Sequence, residues 1–332
     1  MVICGDATIV QTINTRRDAT HYYHVISRCV RRAFLCGQDQ LTGKSFEHRR
    51  RWIEANLEQL STVFFIEIAA YAILSDHYHL VLHVNKSAAK KADKRDIIKR
   101  WHQRFSGVET SHKYLAYEAL EPQEKDQLSA LVETWRARLF DISWMMRTLN
   151  ETNARKANLE DDCTGRFREG RFKSIPLLDD KALLSCLSYV DLNPIRAGLA
   201  STPESSDHTS IKQRAKFFSD GNHHQPDHLM PFTGLRLQTD SPDIAFTLSD
   251  YLELVDWTGR QIRDKPTGNI SSDAPPILDR LNISPNHWIY LSTEFESRFK
   301  GVAGTAESLK RSLKKFGLIR RSSLKNSRLL FS

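Results

Sequence analysis

Long apolar runs are missing from these 332 residues. No stretch approaches the roughly eighteen consecutive apolar residues that a membrane-spanning helix requires. The opening segment MVICGDATIVQTINTRRDAT lacks the charged head and apolar run of a secretory signal, so a cytoplasmic protein that does not enter a membrane is expected. Cysteine is scarce: Cys4, Cys29, Cys36, Cys163 and Cys186 form an odd set of five without a CxxC pair. That argues against a disulfide framework and against a zinc knuckle. There is no HExxH, which a zinc hydrolase would carry, and no Walker A sequence for a nucleotide-driven partner domain. No repeat of fixed period is found. Against 40 acidic residues stand 48 lysines and arginines, a net charge of +8 that points toward a polyanionic partner without specifying one.

The order of elements follows from periodicity. HYYHVISRC (21–29) is aromatic and β-branched and reads as a strand. Residues 45–60 place Phe46, Trp52, Ile53, Leu57 and Leu60 on one helical face. Residues 63–74 read as a buried strand, and after a turn at Ser75 and Asp76, HYHLVLHV forms a second strand paired with it. Residues 86–123 are polar and basic, an insertion or flap with short helices. Helical spacing returns over 123–157, broken once. GRFREGRFKSIPLL suggests a hairpin or extended pair, and a helix opened by Asp179 or Asp180 closes at Asn193 and Pro194. The domain plan is therefore 1–200, a linker over 201–230 rich in Ser, Asp, Pro and His, and an accessory helical region over 231–332 ending in a basic tail.

Three features could carry chemistry. Alternate side chains share a strand face, so His77, His79 and His83 point one way while Tyr78, Leu80, Leu82 and Val84 point the other. Two imidazoles so spaced can reach one cation, although a pair of hydrogen-bonded histidines has the same pattern. On the helix from Asp179, the stripe Leu183, Leu187 and Val190 leaves Ser185, Tyr189 and Asn193 on roughly the opposite side, where Tyr189 is a packing aromatic or something more. The third is Arg166, Arg168, Arg171 and Lys173, interleaved with Phe167 and Phe172. Cations neutralise phosphates and rings stack unpaired bases, which suits a single strand; an amphipathic hairpin would look the same. His223, His224 and His228 lie in a loop without a periodic scaffold and are not read as ligands.

Taken in order, HYYHVISR, SDHYHLVLHV, WMMRTLN, GRFREGRFKS and SYVDLNPIRAGLA resemble the REP-associated tyrosine transposases within the single-tyrosine HUH transposases. The series covers about residues 20–200. The resemblance implies a ferredoxin-like α+β domain with an antiparallel sheet, helices on one face and a smaller helical C-terminal region. It implies Tyr189 as nucleophile, four residues ahead of the Asn-Pro pair, and His77 and His79 as ligands of Mg²⁺ or Mn²⁺. Asn193 is the third ligand, with Asp191 or His83 as substitutes. Asp76 replaces the more usual asparagine, a departure expected to touch the turn rather than the chemistry. Single-stranded hairpin DNA would be gripped by Arg28, Arg31, Arg32, Arg166, Arg168, Arg171, Lys173 and Arg196. The implied activity is cleavage and rejoining through a 5′-phosphotyrosine, in a monomer or homodimer. The alternatives are a domesticated hairpin-binding regulator and a replication initiator or relaxase.

Overall fold

The computed structural model describes residues 20–29, 36–38, 43–164, 171–220, 225–234, 243–263, 274–316 and 321–331. Four strands form an antiparallel sheet: β1 (Tyr22–Arg28), β2 (Ile66–Ile73), β3 (His77–Val84) and β4 (Lys173–Leu177), in the order β2-β3-β1-β4. The protein is thus α+β, with the remaining described elements helical. The β1–β3 register places Tyr22 opposite His83, His24 opposite Val81, Ile26 opposite His79 and Arg28 opposite His77. These residues share one face, because directly paired positions project to the same side.

Between β1 and β2 lies α1 (His48–Val63); after β3 come α2 (Lys86–Lys91), α3 (Lys94–His102), α4 (Glu109–Leu115), α5 (Pro122–Leu139) and α6 (Ile142–Glu160). Ile97, Ile98 and Trp101 of α3 are buried in the same core as Leu57 and Leu60 of α1, and Trp101 stacks on Trp135 with ring centroids 5.0 Å apart. Residues 86–123 therefore hold three helices that contribute to this core. The first sheet face supplies Tyr23, Val25, Tyr78, Leu80 and Leu82 to it. Asn150 on α6 accepts the Tyr78 hydroxyl at 2.6 Å and so ties helix to sheet.

The opposite face is covered as well, a difference from the expected single helical layer. Here α7 (Asp180–Asp191) lies against β2 and β3, followed by α8 (Asn193–Arg196), α9 (Ser210–Ser219), α10 (Leu248–Arg263), α11 (Ile277–Leu281), α12 (Pro285–Arg298), α13 (Ala306–Phe316) and α14 (Arg321–Leu330). Small side chains explain how α7 fits: Ala70 and Ala72 of β2 stand opposite Val81 and His79, leaving room above the sheet. Every residue of α7 from Ala182 to Asp191 is buried. The run ALLSCLSYV carries no charge, and a helix apolar around its circumference belongs inside. Its outer side is covered by α12, whose Trp288, Leu291 and Phe295, with Phe299 just past its end, join α7 in one core. Residues 201–230 hold α9, with Ile211 and Arg214 buried.

Candidate active site

Sheet and α7 bring together side chains far apart in the chain. The His79 ring stands edge-on to Tyr189, centroids 5.7 Å apart, and His77 lies 4.9 Å from His79. His24 completes the group. Its Nε2 and the Nδ1 of His79 are 3.0 Å apart and hydrogen-bonded, and its ring meets the Tyr189 ring edge-on at 6.0 Å. His24 was absent from the expected site. Period-two reading of HYYHVISR would have placed it on the same face as Arg28, but nothing in the sequence reveals that β1 neighbours β3.

The hydrogen bonds fix how the imidazoles present themselves. His77 donates from Nδ1 to Asp76 Oδ1 at 2.6 Å, which leaves its Nε2 lone pair outward. Asp76 thus orients His77 and does not only shape the turn, because a carboxylate on one ring nitrogen sets the tautomer. When His79 donates from Nδ1 to His24, its Nε2 likewise keeps a lone pair. That Nε2 is buried and has no hydrogen-bond partner among the described residues. Two anchored imidazoles with Nε2 to spare are a donor set that fits a divalent cation.

Other expected ligands are differently engaged. His83 is held by Glu67 Oε2 at 2.6 Å. Asp191 accepts the Ser210 hydroxyl, the Ile211 amide and the Tyr251 hydroxyl. Asn193 is buried at the start of α8. Among the described residues no group of three or more His, Cys, Asp or Glu is arranged to hold a metal ion.

Tyr189 is 8% exposed, packed between Phe295 of α12 and the Arg196 guanidinium, which sits 3.8 Å above its ring. Arg196 is also spent on the backbone, donating to the carbonyls of Tyr189 and Ser292. Expected as a phosphate contact, it holds the candidate nucleophile. Burial pushes the phenol up to about 12, while Arg196 pulls the other way. Arg28 and Lys173 are partly exposed at the sheet's rim, both facing Glu296 of α12, at 3.8 and 3.5 Å. Arg171 is exposed. Arg31, Arg32, Arg166, Arg168, His223 and His224 lie outside the described residues.

Burial also sets the charge state. Desolvation lowers His24 to about 3 and His79 well below the ordinary histidine value, with Arg196 opposing protonation of both. Both rings stay neutral at physiological pH. In the unfolded chain they take up protons near pH 6.5, so the unfolded state binds more protons below that value, for His24 down to about 3. Stability is expected to be complete above pH 6.5 and to decline as pH falls through this window, by on the order of 1 kcal/mol per unit for each ring. Melting temperature against pH for wild type and His24→Gln measures it; identical slopes would refute the assignment.

No protein-family model and no curated protein matches the chain. A solved structure of a REP-associated tyrosine transposase bound to a REP hairpin superposes with a TM-score of 0.35 at 11% identity, covering 59% of this chain and 80% of that chain. A likeness at that level carries no argument about function. Among the described residues no helix is long and apolar enough to cross a membrane.

Proposed function

We propose that this chain is a single-tyrosine DNA strand transferase that cleaves and rejoins single-stranded DNA at hairpin-associated sites. The carrying observation is the meeting of His77, His79 and Tyr189 on the second sheet face, although Tyr189 lies more than a hundred residues beyond the histidines. Support also comes from strand order. β1 lies between β3 and β4 and is antiparallel to both, and α1 and α6 share a face, as in a ferredoxin-like split βαβ arrangement.

In the proposed reaction the Tyr189 oxygen bonds to phosphorus as the P–O3′ bond breaks, and the phenol proton ends on the released 3′-hydroxyl. The product is a 5′-phosphotyrosine. Attack by another 3′-hydroxyl reverses the step and joins new ends without a nucleotide energy source. His77 and His79 would hold a Mg²⁺ or Mn²⁺ ion through Nε2, with Asn193 assisting. Such an ion, when bound, supplies Lewis-acid polarisation of the scissile phosphate. Arg28, Arg171 and Lys173 would neutralise backbone phosphates at the rim, while Phe172 packs against the core of the first sheet face.

Incubating the protein with a labelled single-stranded hairpin and Mn²⁺, then running a denaturing gel, tests the reading: a protein-linked band is expected. The burial of Tyr189 favours one rival, a regulator that binds hairpins without cutting them. That rival predicts binding with no band under any divalent ion.

His24 is the positioning residue in this scheme. It touches neither ion nor phosphate, yet it holds His79 through Nδ1. His24→Ala is expected to weaken metal-dependent cleavage by about 10–100-fold, the usual cost of losing such an outer partner. His24→Gln, which can still accept from His79, should recover part of it. Raising Mn²⁺ should rescue the alanine variant; loss of activity insensitive to Mn²⁺ would show that His24 acts otherwise.

A further inference from the structure

Charge is distributed very unevenly along the chain. Residues 306–332 hold eight lysines and arginines against the single acid Glu307, whereas residues 1–305 hold 40 basic and 39 acidic residues. Seven of the eight net positive charges therefore belong to α13, α14 and their immediate connection. On these helices Lys310, Arg311, Lys314, Lys325 and Arg328 are exposed. Among the described residues the ion pair there is Arg311 with Glu307, itself exposed. Leaving so many like charges together without counterions is unfavourable, and a polyanion relieves it.

The two helices are fixed to the scaffold that carries Tyr189. The amide of Thr305, one residue before α13, donates to Asp179 Oδ2 at 2.6 Å, beside the N-terminus of α7. Just past α14, Phe331 stacks on Phe299 with centroids 5.6 Å apart, and its carbonyl accepts from Lys181 of α7. Asn326 donates to the Arg298 carbonyl at the end of α12. Leu309, Ser312, Ser323, Ser327 and Leu330 face inward and are buried. The apolar sides are thus used up in the fold, and the outward sides are basic.

We infer that α13 and α14 form a binding site for the phosphate backbone of duplex DNA, separate from the pocket around Tyr189. The inference rests on the polynucleotide reading above and extends it to the duplex flanking the cleaved strand. A single strand would call for rings on which bases stack, and the described exposed residues of the two helices include none. An anionic membrane would call for a wide apolar face, but the exposed apolar residues are one leucine per helix, Leu313 and Leu329. Binding would be sequence-independent, because phosphate contacts position a duplex without reading it.

Fluorescence anisotropy of the full chain on a labelled duplex of roughly 30 base pairs without a hairpin, across about 50–200 mM salt, tests the site. Changing Lys310, Arg311, Lys314, Lys325 and Arg328 together to glutamine should weaken binding at least about tenfold and flatten the log–log salt slope by roughly four. Glu307→Lys should tighten binding and steepen the slope by about one. An unchanged slope in both variants, or losses confined to phosphatidylserine vesicles with no duplex binding by wild type, would overturn the proposal. The protein-linked band on a short hairpin lacking flanking duplex should be unaffected by the glutamine set. If no such band forms in wild type while duplex binding still depends on the five residues, the cleavage reading fails and this site stands.

Discussion

Replacing Tyr189 with phenylalanine is expected to abolish the protein-linked DNA band, a loss of at least about a thousandfold, while hairpin binding stays within about twofold of wild type. The ring's environment explains why the two effects separate. Arg196 stacked over the face, His24 and His79 at the edges, and Phe295 alongside all contact carbon atoms that phenylalanine keeps. The hydroxyl gives up a hydrogen bond with Arg196, but that guanidinium keeps its bonds to the carbonyls of Tyr189 and Ser292, so it is not left unpaired. Melting should therefore hardly move. A band that persists in Tyr189→Phe would transfer the nucleophile's role to another residue and dissolve the proposed mechanism.

The same environment predicts how the wild-type rate depends on pH. Burial raises the phenol to about 12, Arg196 being too weak to offset it. At pH 7 only about one phenol in 10⁵ is ionised. Adduct formation should therefore climb with pH across the neutral and mildly alkaline range, if attack and deprotonation go together. A flat profile from pH 7 to 9 would show that chemistry is not the slow step.

What could be read from the sequence was whatever one element settles alone. Alternation in HYHLVLHV places His77 and His79 on one face, and the Asp179 cap and the Asn193–Pro194 pair bound the helix of Tyr189. Relations between elements were beyond reach. His24 sits on the same face as His79 because β1 pairs with β3, a long-range choice that no local pattern encodes. The outer side of α7 seemed polar from Ser185 and Tyr189; it is buried because α12, about a hundred residues later, covers it, with Ser292 beside Ser188 at 3.2 Å. Arg196 looked like a phosphate contact because its charge was visible and its partners, the Tyr189 ring and two carbonyls, were not. Asp76 looked like a turn residue because its hydrogen bond to the adjacent His77 depends on side-chain rotation, which spacing does not report.

Asp191→Ala is expected to destabilise the fold by about 3–5 kcal/mol, the usual cost of removing one partner from a buried charged network. Asp191 ends α7 two residues after Tyr189, and its carboxylate gathers three elements. Oδ1 accepts the Ser210 hydroxyl at 2.5 Å and the Ile211 amide at 3.1 Å, both from α9; Oδ2 accepts the Tyr251 hydroxyl of α10 at 2.5 Å. Burial raises its carboxyl above the usual range, and the Arg214 guanidinium and these donors oppose that rise. Arg214 is itself fully buried, with Nη2 on the Met230 carbonyl and with Nε and Nη1 unpartnered among the described residues. Alanine at 191 thus strands a guanidinium and two hydroxyls, and leaves α7 less firmly seated over His79. Since the pair's worth lies in mutual compensation, adding Arg214→Met to Asp191→Ala should restore part of the loss. Chemical denaturation of the two single variants and the double variant decides the matter: strict additivity would mean the two charges stabilise the fold independently, and α7 is held in place by packing alone.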